Sequence, residues 1–233
     1  MYKGKSILAI IPARKGSKGI RRKNMYDING KPLIFYTINE AKKSIYIDDI
    51  LVSTDCIDTK KYVESFSIEV PFLRASSLAQ DETNIIDVIL ADLKKLKLNG
   101  KVYDYIIVLQ PTQPLRRKFH IDDAIKLIVE TNKSSLVSVS KVTEHPYFIR
   151  ELNKDGSLKS IINVNSTIRR QELPNYYKVN GLIYINKIDE NLNEYTSLND
   201  NELAFITDIK YDLDIDSLED IKKFKGLINY IGQ

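Results

Sequence analysis

Two stretches near opposite ends of the 233-residue chain carry residue types suited to polyphosphate chemistry. In the first, A-I-I-P-A-R-K-G-S-K-G-I-R-R-K-N (9–24), six cationic side chains (Arg14, Lys15, Lys18, Arg21, Arg22 and Lys23) surround Gly16 and Gly19. Glycine lets the backbone approach an anion, successive N–H groups form a nest, and Arg and Lys neutralise the oxygens. Neither G-x-x-x-x-G-K-[ST] nor G-x-G-x-x-G is present. On charge alone the loop reads equally as a solvated basic surface. The second stretch holds Asp214 and Asp216, which an extended chain projects to one side. Paired carboxylates suit a hard cation that also bridges phosphates, as Mg²⁺ does, with Mn²⁺ a second fit. Ser217-Leu218-Glu219-Asp220 opens the last helix, so spacing alone leaves open that Asp216 serves only that helix's N-terminus. Asp212, outside the pair, reads as a solvated loop residue.

A third candidate is Q-P-T-Q-P-L-R (110–116). Two prolines so close fix a rigid loop, which would hold Gln110 and Thr112 as hydrogen-bonding groups and Arg116 as a charged anchor. Positioning these groups falls to alternating elements. Ile7, Leu8, Ile10 and Ile11 form a short buried strand. Asn29-Gly30 marks a tight turn before a helix through Ser44, then a strand over 50–54, a helix over 59–66 and a strand over 68–73. A helix follows over 83–95 with Thr83 or Asn84 as N-cap, then a central strand over 103–109, a helix over 120–131, a strand over 135–140 and a late strand over 203–209. Such alternation implies parallel βαβ units, with ligands outside the carboxyl ends of the strands, so Arg14, Asp55 and Arg74 fall on one edge. Residues 143–177 break the rhythm: Asn153-Lys154-Asp155-Gly156 signals a hairpin, and the polar remainder cannot form its own core, so the segment is an insertion that packs on a partner.

A net charge of +4, with 43% hydrophobic and 28% charged residues, describes an ordinary globular chain. The positive excess sits in one loop, which suits a small anionic ligand better than a nucleic-acid backbone. Cys56 is the only cysteine, with no activating neighbour, and reads as a half-buried thiol. His120 and His145 read as capping or surface residues. With no signal peptide and no run of about 18 apolar residues, the expected location is cytoplasmic.

The order strand, Pro12-Ala13-Arg14, glycines with Lys18, then Lys23-Asn24 resembles the first signature of the acylneuraminate cytidylyltransferases, the CMP-sialic acid synthetase family. Q-P-T-Q-P-L-R resembles its Q-P-T-S-P-L-R with Gln113 for Ser, and Arg170-Gln171-Glu172-Leu173-Pro174 resembles its R-Q-x-L-P. Lys178-Val179-Asn180-Gly181-Leu182-Ile183-Tyr184 resembles R-P-N-G-x-I-Y with Lys and Val in the first two places, and Asp214-Ile215-Asp216-Ser217 its aspartate motif. The family's T-A-S-S is here Glu82-Thr83-Asn84-Ile85. The resemblance implies an α/β fold, a three-layer α/β/α nucleotidyltransferase (nucleotide-diphospho-sugar transferase-like) with a mostly parallel mixed sheet. The chain is then one cytidylyltransferase domain whose 143–177 segment is a small dimerisation lobe of a homodimer. It implies CTP and an N-acylneuraminate giving the CMP-sugar and diphosphate, with Arg14, Lys18, Lys23, Asp214 and Asp216 catalytic and Asp214 and Asp216 holding Mg²⁺. Ala13, Arg14, Lys18, Lys23, Asn24, Arg74 and Thr83 would hold the nucleotide, and Gln110, Thr112, Arg170, Asn180 and Tyr184 the sugar acid. A legionaminate, a pseudaminate or an eight-carbon 2-keto acid would share the phosphate machinery. From other classes, a nucleotide-binding regulatory domain without turnover and an RNA-binding module stay open; neither membrane nor nucleic acid is an expected partner.

Overall fold

Short apolar runs separated by polar turns set the element order, and the computed structural model describes it over residues 1–163 and 169–231. The side chains of Arg170 and of 229–231 lie outside that description. In chain order the strands are β1 (Ile7–Pro12), β2 (Asp27–Ile28), β3 (Lys31–Pro32), β4 (Asp49–Ser53), β5 (Tyr105–Val108), β6 (Ser135–Lys141), β7 (Arg150–Leu152), β8 (Leu158–Ser160), β9 (Tyr177–Lys187) and β10 (Leu203–Ile206). The helices are α1 (Leu33–Lys43), α2 (Ile57–Glu64), α3 (Ile85–Leu98), α4 (Lys118–Thr131) and α5 (Leu218–Ile231).

Six strands form the central sheet in the order β10-β6-β9-β5-β1-β4. β1 pairs parallel with β4 and β5, and β10 parallel with β6, while β9 runs antiparallel between β5 and β6. The sheet is therefore mixed and mostly parallel. Successive residues of β1 point to opposite faces. Ile7, Ala9 and Ile11 join Ile34 and Ile38 of α1, Val63 of α2, and Ile121, Ile125 and Ile128 of α4. Leu8 and Ile10 join Ile86, Ile89 and Leu96 of α3 on the other face. Three layers follow from that alternation. A third cluster seats Phe224 and Ile221 of α5 against Ile20, Ile28, Leu33 and Leu115, which brings the carboxyl-terminal segment beside the first loop.

Several local expectations change. Residues 68–73 form no strand: Pro71 removes a ladder donor, and the segment is irregular with a bend at Phe72, Ile68 and Val70 being buried and the Val70 carbonyl accepting from Lys60 at 2.7 Å. The late strand stops at Ile206, before a 3₁₀ turn (Ile209–Tyr211) capped by Asp208. Helix α4 starts two residues early, because the Arg117 N–H bonds Nδ1 of His120 across the first turn. His120 therefore caps α4, one of the two roles expected of it, but it does so buried rather than at the surface, and burial with the charges of Arg116 and Arg117 pushes it down to about 4. Cys56 is buried outright. The Asn29-Gly30 turn holds, with φ of 55° and 77° joining β2 to β3. The 150–160 hairpin also forms, β7 pairing with β8.

Candidate active site

The carboxyl ends of β1, β4 and β5 lie together, and the chain leaves them as the loops 13–24, 54–56 and 109–117. Between these loops and the 212–217 segment opens a cleft of about 370 Å³. It is lined by Arg14, Lys23, Asn24, Arg74, Thr83, Gln110, Thr112, Asp214 and Asp216, so nine of the sequence-predicted residues meet there. A second cavity of about 360 Å³ lies by the amino ends of β1 and β4 among Asp48, Asp49, Lys101 and Tyr103, away from the cationic loop.

The first loop is held in shape by its own polar groups. The Ala13 N–H bonds the Ser53 carbonyl at 2.8 Å, the Lys15 N–H bonds Asp55 at 2.6 Å, and Asn24 Nδ2 donates to the Arg14 carbonyl at 3.0 Å. Arg14 Nη1 pairs with Asp81 at 2.5 Å, and Lys18, at the rim, approaches the same carboxylate at 3.7 Å. The Arg14 bond holds the Asp81 carboxyl below the usual range. Lys23 bridges loop and tail, donating to the Ile215 carbonyl at 2.9 Å and to Asp216 at 2.8 Å. Gly19 packs so closely on this tail that a Cβ there would collide with the Asp216 carbonyl oxygen. The cationic loop and the aspartate pair thus form one wall, though nearly the whole chain separates them.

Asp216 is not the helix cap. That task falls to Ser217 and Asp220: Asp220 Oδ2 accepts from the N–H groups of Asp216 and Ser217 at 3.2 and 2.9 Å, and Ser217 Oγ accepts from the Asp220 N–H at 3.3 Å. Among the described residues the Asp216 carboxylate meets only Lys23, and it lies 74% exposed at the cleft rim. Asp214 is deeper. Burial raises its pKa, a bond from the Thr112 hydroxyl lowers it, and the Asp216 charge raises it again. The Ile215 N–H bonds the Thr112 carbonyl at 2.8 Å, fixing the pair against the Gln110 loop. Two oxygen donors beside Arg and Lys fit a divalent cation whose remaining ligands come from phosphate and water. Among the described residues no cluster of three or more His, Cys, Asp or Glu side chains forms an all-protein metal cage.

The Gln110 loop rests on Arg116. This guanidinium is buried, has no carboxylate partner among the described residues, and donates to the carbonyls of Leu182 at 2.6 Å and Gln110 at 2.8 Å and to Thr37 Oγ1 at 3.0 Å. Burial alone pushes it down to about 9. Gly181, at φ +73°, lies where a Cβ would stand 3.1 Å from Gln110 Oε1. Arg74, on the other side, donates from Nη2 to the Ser53 carbonyl at 2.8 Å and from Nε to Ser53 Oγ at 3.2 Å.

Other predicted residues sit elsewhere. Ala13 is buried and offers only backbone. Thr83 lines the cleft but donates to the Ser77 carbonyl at 3.3 Å, while Asn84 takes the N-cap position of α3 without a side-chain bond. Asn180 is committed to the fold: Nδ2 donates to Thr207 at 2.8 Å and Oδ1 accepts from Ser138 at 2.7 Å and from the Leu182 N–H at 3.2 Å. Tyr184 lies behind Gly181 and donates to Asn199 at 3.1 Å. Arg170 opens a 3₁₀ turn (Arg170–Glu172), its side chain outside the described residues. Asp212 is not solvated; it is nearly buried and accepts from Ser140 at 2.7 Å and Lys178 at 3.0 Å. Asp81 was not singled out, since it acts through Arg14, a partner distant in sequence.

The family model described as "Cytidylyltransferase" matches residues 8–231. The CMP-N,N'-diacetyllegionaminic acid synthase of Legionella pneumophila is 35% identical, the match covering 91% of each chain. The N-acylneuraminate cytidylyltransferase of Streptococcus agalactiae is 32% identical over 91% of this chain, which spans only 51% of that relative. The pseudaminic acid cytidylyltransferase of Campylobacter jejuni is 28% identical, covering 94% of this chain and 95% of that one. In fold, a solved CMP:2-keto-3-deoxy-manno-octonic acid synthetase complexed with CTP superposes with a TM-score of 0.73 at 19% identity, over 97% of this chain and 99% of that one. A cationic glycine loop closed on an aspartate pair, on a mixed sheet of this order, and a family match over almost the full length lead to one assignment: the chain belongs to the cytidylyltransferase family.

Proposed function

We propose that the protein transfers the cytidylyl group of CTP to a nonulosonic acid, a nine-carbon 2-keto sugar acid of the N-acylneuraminate type. The anomeric hydroxyl oxygen forms a bond to the α-phosphorus, the bond from that phosphorus to the bridging oxygen breaks, and pyrophosphate leaves with the electron pair as the hydroxyl proton is released. The observation that carries this reading is the meeting of Arg14 and Lys23 with Asp214 and Asp216 in one cleft. Arg14, Lys18 and Lys23 neutralise the triphosphate and the departing pyrophosphate, and Asn24 and Arg74 hold the nucleotide. Gln110, Thr112 and Arg170 hold the sugar acid, Arg170 through its carboxylate. Asp214 and Asp216 hold Mg²⁺, which supplies positive charge to the phosphate oxygens. Positioning and charge neutralisation provide most of the rate.

Asn180 acts by shaping the Gly181 bend rather than by touching sugar, and Tyr184 backs the same bend. The lobe at 143–177 joins two copies in a homodimer, a reading supported by exposed Phe148, Ile149, Leu152, Leu158 and Ile161. Residues 164–168 of that lobe lie outside the described residues. Among the described residues no helix is long and apolar enough to cross a membrane, and we place the reaction in the cytoplasm, where CTP is made. A second reading, a diacetyllegionaminate as the acceptor, is favoured by the 35% identity to a legionaminic acid synthase over 91% of both chains. Mass spectrometry of the product formed from CTP, Mg²⁺ and a mixture of nonulosonic acids decides: a CMP-sugar names the acceptor, and unchanged CTP with every acid rejects the reaction.

A further inference from the structure

The cations assigned to the phosphates already carry carboxylates. Lys23 holds Asp216, which the proposed metal would claim. Arg14 Nη1 holds Asp81 at 2.5 Å, and Lys18 Nζ lies 3.7 Å from the other oxygen of the same carboxylate. The proposed reaction gives Asp81 no work. It lines the cleft beside Arg14, Gly16 and Ser17, among the groups that would receive a polyphosphate, and its charge has the wrong sign for that place. The Arg14 bond keeps its carboxyl below the usual range, so it is an anion at neutral pH. The segment that carries it, residues 75–84 between Arg74 and α3, has no buried residue. Its own hydrogen bonds close locally: the Leu78 N–H on the Ala75 carbonyl at 2.9 Å, Gln80 Nε2 on the Ser76 carbonyl at 2.7 Å, and Thr83 Oγ1 on the Ser77 carbonyl at 3.3 Å. Among the described residues its polar ties to the first loop are those of Lys18 to Asp81 and of Arg14 to Asp81 and to the Ala79 carbonyl at 3.5 Å. Little else has to break for the carboxylate to withdraw.

We propose that Asp81 sets the affinity of the polyphosphate subsite: its carboxylate competes with pyrophosphate, and with the pyrophosphate end of CTP, for Arg14 and Lys18, so that each binds by displacing it. The inference rests on the proposed reaction, in which these cations receive the departing pyrophosphate. A carboxylate brings one charge and two oxygens to the guanidinium, whereas pyrophosphate brings more of both and wins the exchange. The Arg14–Asp81 pair is partly exposed, so the bond to be broken is modest: it weakens the hold on the polyanion without preventing binding. Cations without such a competitor would grip the product more tightly, at no gain to the reacting centre.

Asp81→Asn removes the charge and keeps the shape of the side chain. Glu82→Gln removes the same charge from the adjacent exposed carboxylate and so reports the general field. Calorimetry with inorganic pyrophosphate and Mg²⁺, at about 0.15 M salt to screen distant charges, reads the affinity of each. Asp81→Asn is expected to bind pyrophosphate about 2- to 5-fold more tightly than wild type, as for the loss of one partly exposed competing ion pair, and Glu82→Gln within about 1.5-fold of wild type. Unchanged affinity in Asp81→Asn overturns the inference. Weaker binding also overturns it, assigning Asp81 to holding Arg14 in place for the phosphates. Equal tightening in both variants overturns it too, reducing the effect to net charge. Each of these leaves the proposed reaction standing, whereas wild-type protein that binds neither pyrophosphate nor CTP overturns the reaction and the inference together.

Discussion

Asp216→Asn and Asp220→Ala remove carboxylates one helical turn apart and should have opposite consequences. Asp220 Oδ2 accepts from two backbone N–H groups and from Ser217 Oγ at 2.7 Å, so its loss opens the cap of α5. A lost N-terminal cap costs about 1 kcal/mol, which for a chain of this size lowers Tm by about 2–4 °C. Asp220 lies outside the cleft lining, so turnover at saturating Mg²⁺ should stay near the wild-type value. Asp216 does no capping and is 74% exposed, its ion pair with Lys23 lying at the rim. Such a pair contributes about 0.5 kcal/mol, and Asp216→Asn should melt within about 2 °C of wild type. Removing one of two carboxylate ligands should raise the Mg²⁺ needed for half-maximal rate by on the order of 100-fold, the upper end of what disturbing a metal shell costs. Thermal melts and pyrophosphate release across a Mg²⁺ titration read both quantities on the same samples. An Asp216→Asn protein that melts several degrees low and keeps its Mg²⁺ curve would refute the assignment and return Asp216 to the helix.

Asp214→Asn should abolish turnover yet raise Tm at neutral pH. Burial raises the Asp214 pKa above its unfolded value, so its favourable contribution is complete below the ordinary carboxylate pKa and is lost as pH rises through the raised one. Melts at about pH 7.5 and about pH 3.5 should therefore show the stabilisation only at the higher pH, where the wild-type carboxylate is ionised. Gly19→Ala forces the loop away from the Asp216 carbonyl and should cost about 1–3 kcal/mol by denaturant unfolding and at least ~10-fold in turnover. Arg116→Ala leaves the carbonyls of Gln110 and Leu182 and the Thr37 hydroxyl without their buried donor, so a loss of about 3 kcal/mol or more is expected in the same unfolding assay.

The parts of this site visible in the sequence are those whose chemistry is local. The 9–24 loop was read from glycines and cations at a strand's end, and Asp214 and Asp216 from their spacing, each left open until the family resemblance was added; both meet in the cleft. The placement of Arg14, Asp55 and Arg74 on one edge followed from the parallel strand rule, and the Lys15–Asp55 bond lies there. Partnerships across long separations were hidden. Nothing near Asp212 announces Ser140 and Lys178, and nothing near Asn180 announces Thr207 and Ser138. Hydrophobicity alone made residues 68–73 resemble a strand, but Pro71 and the edge position of β4 left the segment burying Ile68 and Val70 without a ladder. The choice between helix cap and metal ligand at Asp216 was undecidable from spacing, because the capping role of Asp220 depends on where the helix turns.

The most direct measurement is pyrophosphate release from CTP and Mg²⁺ with N-acetylneuraminate and with diacetyllegionaminate, comparing wild-type protein with Lys23→Ala. The account predicts release with at least one acid, dependence on that acid, and a loss of about 100-fold or more in Lys23→Ala with an unchanged melt, since Lys23 Nζ stands between the cationic loop and Asp216. Release without acid, or equal release from Lys23→Ala, would contradict it.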